Sequence, residues 1–209
     1  MAELFVGASG WSYPSWKPGF YPAGTDSRDF LTHYAQHFRT VELNTTGYRL
    51  PAEEQFRRWA AQTPPGFVFA PKLPGNRARM VGEFSDRVRL LGDRLGPVRV
   101  KLVNERDEGM LELLVGSLDP ELQLAFDLEH ESWDGVEPRL ADAGAVRIND
   151  LDHDAPFRYM RFRDPPYTDG ELEAWSDRLR NLDVTLYAYF RHEDEPTAPS
   201  YAKKLLQLL

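Results

Sequence analysis

The sequence predicts an α/β protein in which eight parallel strands close into a compact TIM (β/α)8 barrel. Short apolar segments of strand length alternate with longer segments whose apolar residues recur at helical spacing, and there are eight such units. Regular alternation predicts a parallel sheet, and eight units predict closure. A doubly wound open sheet is the alternative, but it usually begins with a Gly-rich phosphate-binding turn, and Gly7-Ala8-Ser9-Gly10 is not one.

The individual elements follow from apolar periodicity and from turn residues at the ends of each segment. The predicted strands are 4–8, 40–44, 67–70, 98–103, 122–128, 145–148, 159–163 and 184–190. The predicted helices are 27–38, 51–62, 84–95, 108–115, 137–142, 169–180 and 196–208. Segment 151–156 is too short and too acidic for a normal helix, so we expect a thin or missing helix between strands six and seven.

Composition limits the classes of protein that fit. The 209 residues contain 42% hydrophobic residues and no linker or low-complexity run, so we predict a single domain over 1–209. The net charge of −8 disfavours general binding to nucleic acid or to anionic membranes. There is no cysteine, which excludes disulfides, thiolate metal sites and cysteine nucleophiles. No apolar run is long enough to span a membrane, and we expect a cytoplasmic protein.

The segment TVELN, residues 40–44, is a buried-strand pattern that ends in polar groups. Glu42 and Asn44 are two residues apart, so on a strand they point to the same face. In a barrel that face is the interior, and ligands bind where the strands end. We therefore expect both side chains in a pocket at the C-terminal rim.

The same alternation predicts which side chains of the eight strands point into the barrel interior. They are Glu42, Asn44, Lys72, Lys101, Asp127, Glu129, Arg161, Arg163, Tyr187, Tyr189 and Arg191. Unpaired buried charge is costly, so these groups either pair with one another or meet a ligand and water. An internal salt-bridge network and a ligand-binding pocket both remain open at this point.

Two carboxylates and one aromatic loop are the candidates for chemistry. Glu42 and Asp127 are a candidate acid/base pair, as in hydrolysis of glycosides, although the sequence does not fix their separation. Trp11 in the aromatic loop after strand one could stack on a sugar ring or base, or the loop could cap the barrel. Arg163 and Arg191 could hold an anion.

We predict no metal site and no cofactor. His33 and His37 have the spacing of some zinc-binding helices, but the glutamate of that motif is missing and the helix should lie outside the barrel. Asp127, Glu129, His130 and the acidic residues near 150–154 are metal-binding residue types, and we do not expect them to form a native site.

Several segments resemble the YecE-like family, the barrel family called domain of unknown function seventy-two. The matching segments are Gly7 to Tyr13 with Trp16 and Phe20 to Pro22, Tyr34 to Phe38, Val41 to Thr46 with Tyr48, Trp59, Pro64, Gly66 to Phe67 with Phe69 to Lys72, Leu95 to Val98, His130 to Trp133, and Tyr167 to Trp175. The N-terminal third is the specific part. The resemblance implies an α/β barrel and no assigned activity.

The chain departs from the family pattern on the pocket side. Glu129 stands where the family tends to have arginine, and Arg163-Asp164 replaces a His-Gly pair. Arg191-His192 replaces a pair of asparagines, and Lys101 with Val103-Asn104 replaces a glutamine and prolines. The change at Glu129 fits a rearranged network in which Glu129 pairs with Lys101 or Arg161. The four altered pocket-side positions together imply a changed ligand or the loss of any family activity.

Three hypotheses follow for function. The first is a barrel that binds a small polar or anionic ligand at its rim, with hydrolase as the candidate activity. Its catalytic residues would be Glu42 and Asp127, and its ligand-binding residues would be Trp11, Asn44, Tyr48, Lys72, Lys101, Glu129, His130, Arg161, Arg163 and Tyr189. The second is action on or binding to nucleic acid, which the family's similarity to endonuclease-type barrels implies and the net charge disfavours. The third is a non-catalytic binding or scaffold protein. The oligomeric state stays open.

Overall fold

The computed structural model describes residues 2–75 and 80–209, and it contains eight strands and seven α-helices within those ranges. The strands are β1 Leu4–Ala8, β2 Thr40–Leu43, β3 Val68–Pro71, β4 Val98–Leu102, β5 Leu124–Leu128, β6 Val146–Arg147, β7 Arg158–Phe162 and β8 Leu186–Phe190. The helices are α1 Phe30–Tyr34, α2 Glu53–Gln62, α3 Val81–Arg89, α4 Glu108–Ser117, α5 Glu137–Asp142, α6 Asp169–Leu179 and α7 Thr197–Leu208. Each predicted strand and helix has a counterpart here, with boundaries that differ by a few residues.

The eight strands form three separate parallel sheets. The first sheet has the order β1-β8-β7, the second pairs β2 with β3, and the third has the order β4-β5-β6. The prediction of a closed eight-stranded TIM barrel is therefore wrong. The hydrogen-bonded ladder is interrupted between β1 and β2, between β3 and β4, and between β6 and β7.

A side chain joins β1 to β2 in place of a backbone ladder. The Tyr34 hydroxyl accepts a hydrogen bond from the Ala8 amide at 2.8 Å and donates one to the Thr40 carbonyl at 3.0 Å. Gly7 allows this approach, because a Cβ there would lie 2.4 Å from the Thr40 oxygen. The two strands are adjacent, but their backbone groups are satisfied through a tyrosine.

The other two interruptions have different causes. Between β3 and β4 only isolated bridges form, Phe69 with Leu95 and Lys72 with Arg99. At β6 the strand has two residues, because Asn149 follows with a left-handed backbone, φ 67°. The Asn149 side chain then accepts a hydrogen bond of 2.6 Å from the amide of Arg161 on β7.

The segment between β6 and β7, residues 148–157, contains no helix, as predicted. It is held by local polar contacts around Asp150. One Asp150 carboxylate oxygen accepts from the Asp152 amide at 3.0 Å and contacts the His153 ring at 3.1 Å. Acidic residues here form a turn, which is why the helical pattern is absent.

Apolar residues divide into two clusters, on opposite faces of the strands. The larger cluster lies between the strands and the helices and includes Val41 and Leu43. The smaller one joins side chains of all three sheets, among them Phe5, Val68 and Ala125. Residues that alternate with the larger cluster along a strand therefore point toward one shared interior.

Within the described ranges, none of the helices is long and apolar enough to cross a lipid bilayer. The longest, α7, has 12 residues, whereas a transmembrane helix needs about 20.

Candidate functional site

Glu42 on β2 is completely buried and connects two sheets. Val41 and Leu43 pack in the larger apolar cluster, so Glu42 points to the opposite face. Its Oε1 accepts a 2.8 Å hydrogen bond from the Tyr159 hydroxyl. Arg161 Nε lies 2.9 Å from Oε1, and Arg161 Nη2 donates to Oε2 at 3.0 Å. Because Tyr159 and Arg161 belong to β7, side chains here join sheets whose backbones do not pair.

Asp127 on β5 is the second buried carboxylate, with 2% of its surface exposed. Its Oδ2 accepts a 3.0 Å hydrogen bond from Arg99 Nε, and its Oδ1 accepts one from Arg163 Nη2. Arg161 Nη1 lies 3.9 Å from Oδ2. Three guanidinium groups, from β4, β7 and the residue after β7, thus surround one carboxylate.

Arg99 on β4 contacts both carboxylates from a position that is 3% exposed. Its Nε donates to Asp127, as described above. Its Nη1 lies 3.5 Å from Glu42 Oε2 and donates to Asn44 Oδ1 at 3.0 Å. The Asn44 amide group in turn donates to the carbonyl of Ser9 at 3.3 Å. The guanidinium is therefore fixed in position by three acceptors from two strands and the turn after β2.

Lys101 and Glu129 extend this network outward to the solvent. Their Nζ and Oε1 atoms are 2.7 Å apart, and their side chains are 32% and 38% exposed. Glu129 Oε1 is also 3.8 Å from Arg163 Nη1. The predicted pairing of Glu129 with Lys101 is confirmed, and its second partner is Arg163 rather than Arg161.

Lys72, just past β3, is a cation that has no acidic partner among the described residues. No carboxylate of the described residues lies within 4.0 Å of its ammonium group, which instead sits 5.2 Å from the ring centroid of Tyr48. The Tyr48 ring is 80% exposed. Gly47 leaves room for the lysine stem, because a Cβ there would lie 2.5 Å from Lys72 Cδ.

We call these charged side chains the rim cluster. They come from all three sheets, and they lie near or just past the C-terminal ends of their strands except for Arg99, which reaches the cluster from the second residue of β4. The rim cluster consists of Lys72, Arg99, Lys101, Arg161 and Arg163 with Glu42, Asp127 and Glu129. Five cations and three carboxylates leave an excess of two positive charges, in a chain whose net charge is −8.

Both buried carboxyls are held in the ionised form. Burial alone would raise the pKa of Glu42, but Arg161 and Arg99 bring it below its usual value. Burial likewise opposes ionisation of Asp127, and Arg99 and Arg163 lower its pKa. Neither carboxyl carries a proton near neutral pH, so the direction of these pKa shifts gives no support to a proton-donor role.

The pKa of the Lys72 ammonium lies below its ordinary value, so the charged form is disfavoured. Burial lowers its pKa first, and the neighbouring cations Arg99 and Lys101 lower it further. Glu42 opposes this effect without cancelling it. The lowered pKa of Lys72 thus reflects burial first and the neighbouring cations second.

Three predicted ligand-binding residues lie apart from the rim cluster. Tyr189 is fully buried and its hydroxyl is 2.7 Å from Thr40 Oγ1. His130 Nδ1 accepts a 3.2 Å hydrogen bond from the Ser132 amide, which caps a 3-10 turn. Trp11 lines a separate cleft beside α2. The other predicted side chains are in the cluster or, as with Asn44 and Tyr48, in contact with it.

Sequence reasoning missed two residues of the site, Arg99 and Tyr159. Each precedes a predicted interior residue by two positions, Lys101 and Arg161 respectively. The alternation that selected the later residue therefore also selects the earlier one. Both are deeper in the strand than the rim, at positions where sequence alone favours apolar filling.

Metal-binding residue types do not converge anywhere in the part of the chain that the structure describes. No group of three or more His, Asp or Glu side chains there is arranged to hold a metal ion. Glu42 and Asp127 are each surrounded by arginine side chains, which occupy the oxygens that a cation would need.

Comparison with known proteins assigns the chain to a family. A family model described as "Protein of unknown function DUF72" matches residues 5–209. This chain belongs to the DUF72 family. The UPF0759 protein YecE of Escherichia coli (strain K12) is 31% identical over 142 residues, which are 62% of this chain and 50% of that protein. The YecE protein of Escherichia coli O157:H7 matches equally well. The DUF72 chain thus spans about half the length of the curated relatives it matches.

Solved structures of the DUF72 family agree with this chain in fold. Two crystal structures of a DUF72 family protein from Enterococcus faecalis V583 match it with TM-scores of 0.79 and 0.78, at 14% and 15% identity. They cover 100% and 99% of this chain, and 98% and 95% of their own. At such identity the likeness shows the fold alone.

Proposed function

We propose that this DUF72 chain binds a small anion at the rim cluster. The observation that carries the proposal is the excess of two positive charges among side chains that are otherwise paired. Buried or half-buried cations without a counter-charge are costly, and an anionic ligand offsets that cost directly. Phosphate, sulfate and carboxylate groups match the donor geometry of arginine.

The carboxylates act in this proposal as positioning residues. Glu42 holds the Arg161 guanidinium from two sides, and Asp127 holds Arg99 and Arg163. Donors fixed in this way bind an anion without losing side-chain freedom on binding. Hydrolysis would need a further group as proton donor, because Glu42 and Asp127 are ionised, and we leave it outside the proposal.

Unused hydrogen-bond donors support a ligand at this place. The Nε atom of Arg163 is buried and donates no hydrogen bond within the described part of the chain, whereas Arg161 Nε lies against Glu42 Oε1 at 2.9 Å. Lys72 adds an ammonium group with no acidic partner, beside the exposed Tyr48 ring. Buried donors normally find an acceptor, so this surplus favours a ligand that supplies oxygen atoms.

A small anion fits the surroundings better than nucleic acid does. Arg163 and Arg191 line a cleft of about 690 Å³ together with four acidic residues, Asp164, Glu193, Asp194 and Glu195. These carboxylates would repel an extended chain of phosphates. The positive potential is therefore confined to the rim cluster, which suits a compact ligand.

Anion titration tests the proposal. We expect inorganic phosphate or sulfate to raise the melting temperature in a concentration-dependent manner, because a ligand that binds only the folded state stabilises it. Lys72→Met should weaken phosphate binding about tenfold, since a charge-assisted hydrogen bond contributes about 1.5–3 kcal/mol. In the absence of anion the same variant should melt a few degrees higher, because it removes a disfavoured cation.

Lys203→Met is the matched control. Lys203 is exposed on α7, and its replacement changes the net charge by the same amount. It should leave both the phosphate affinity and the melting temperature unchanged. Equal effects of the two substitutions, or no stabilisation by any of the anions, would exclude a site at the rim cluster and favour a non-catalytic scaffold whose charges serve only its own folding.

A further inference from the structure

A second concave region lies between the loop after β1, the turn after β2 and helix α2, and Glu42 is one of its lining residues. We call this the tryptophan cleft. Its volume is about 650 Å³, and its lining includes two tryptophans and two arginines, Trp11, Trp59, Arg49 and Arg58. Glu42 and Asn44 form its boundary with the rim cluster.

We propose that the tryptophan cleft binds an aromatic organic anion, with the ring against Trp11 and Trp59 and the anionic group at Arg49 and Arg58. This goes beyond anion binding at the rim cluster and does not depend on it, because Arg49 and Arg58 lie outside that cluster. The class includes aryl phosphates, aryl carboxylates and nucleoside monophosphates.

The two indoles provide a rigid apolar corner. Their ring centroids are 5.6 Å apart and their planes are nearly perpendicular, at 87°. Phe69 supports Trp11 from a centroid distance of 6.3 Å. A planar ring that enters such a corner can meet the face of one indole and the edge of the other, which are the favoured geometries of aromatic contacts.

Unused indole donors distinguish this corner from ordinary core packing. Trp16 and Trp133 are buried, and both indole N–H groups have a partner. Trp16 Nε1 donates to the Glu193 carbonyl at 3.0 Å, and Trp133 Nε1 donates to the Asn104 carbonyl at 3.0 Å. Neither Trp59 nor Trp11 donates a hydrogen bond to any described residue, and neither indole nitrogen is among the buried polar atoms that lack a partner. Their N–H groups are therefore open to solvent, and an acceptor on a ligand in the cleft can reach them.

The charge of the cleft favours an anion. Arg49 and Arg58 have no carboxylate within 4.0 Å in the described ranges, whereas the adjacent Arg57 is 3.0 Å from Glu53. The one acidic residue that lines the cleft, Glu42, is neutralised by Arg161 and by Arg99. Two free guanidinium groups beside an aromatic corner thus select a ligand that has both a ring and a negative charge.

Tryptophan fluorescence tests the proposal, with adenosine monophosphate, phenyl phosphate, benzoate and indole-3-acetate as probes and inorganic phosphate as the anion without a ring. We expect at least one aromatic anion to change the emission in a saturable manner, and inorganic phosphate to leave it unchanged. Arg58→Ala should weaken that binding about tenfold, because it removes a charge-assisted contact.

Arg57→Ala is the control on the same helix, and it should bind as the unmodified chain does. Trp11→Phe should reduce the fluorescence change, while circular dichroism shows that the fold is kept. Lys72→Met should leave the aromatic response intact, which separates this cleft from the rim cluster. No saturable response to any aromatic probe, or equal losses in Arg57→Ala and Arg58→Ala, would overturn the proposal.

Discussion

Among single residues, Glu42 joins two arginines and a tyrosine of the site. It is fully buried, and it accepts hydrogen bonds from Tyr159 and Arg161 while Arg99 lies 3.5 Å away. Its negative charge is the counter-charge that lets two arginines stay in the interior. A neutral amide of the same shape would keep the packing and remove that compensation.

We therefore predict that Glu42→Gln lowers the free energy of unfolding by about 3–5 kcal/mol, because it leaves buried guanidinium charge uncompensated. Urea denaturation measures the change. Glu129→Gln is the control, since Glu129 is 38% exposed and its pair with Lys101 should contribute less than about 1 kcal/mol. If Glu42→Gln were as stable as the unmodified chain, the interior charges would not depend on one another.

At the scale of elements, the junction between β1 and β2 shows how this fold replaces a ladder by a side chain. The Tyr34 hydroxyl serves as acceptor for the Ala8 amide and as donor to the Thr40 carbonyl. Thr40 begins β2, the strand that carries Glu42. The hydroxyl thus fixes the position of β2 relative to β1, and with it the position of the buried carboxylate.

Tyr34→Phe should lower the free energy of unfolding by about 1–3 kcal/mol, because two buried backbone groups lose their partner. Tyr187→Phe provides the comparison, since only burial and the charge of Glu3 act on its hydroxyl and no hydrogen bond to a described residue does, and we expect a change within about 0.5 kcal/mol. Hydrogen exchange at the Ala8 amide would give a local measurement. Unchanged protection of that amide in Tyr34→Phe would contradict the role assigned to the hydroxyl.

Across the whole molecule, ionised side chains connect the three sheets. The free energy of unfolding should therefore decrease at acidic pH. The folded-state pKa values of Glu42 and Asp127 lie below their ordinary values. Their contribution to stability is therefore present above the unfolded pKa values of about 4, and it is lost as the pH falls through the lower folded values.

We predict a decline of the urea midpoint below about pH 4, and a smaller decline in Glu42→Gln than in the unmodified chain. The difference between the two pH profiles isolates Glu42 from other carboxyls with lowered pKa, such as the exposed Asp26 and the partly buried Asp119. Parallel profiles would mean that protonation of Glu42 is not linked to unfolding.

Much of this molecule could be predicted from local sequence patterns. Apolar segments and turn residues located the strands and helices, including the missing helix before β7. Alternation selected Glu42, Asp127, Arg161 and Arg163 as interior groups, and they do meet. Such predictions succeed because periodicity is a property of each strand alone.

The closed barrel was wrong for a reason that local patterns do not contain. Whether neighbouring strands share hydrogen bonds depends on long-range contacts such as that of Tyr34 with Ala8 and Thr40. A left-handed residue, Asn149, likewise shortened β6. Counting eight β–α units gives the number of strands and their order along the chain, but not the continuity of the ladder between them.

Motifs and a period of two residues were enough to predict the family, the α/β class and the interior face of Glu42, Asp127, Arg161 and Arg163, although they missed Arg99. Which of these charges meet follows only from the folded chain, since pairing depends on distances between strands far apart in the sequence. Folding brought Arg99 into contact with both buried carboxylates and left Lys72 without an acidic partner among the described residues. The excess of positive charge in the rim cluster comes from side chains of all three sheets, so it cannot be read from any single segment of the chain.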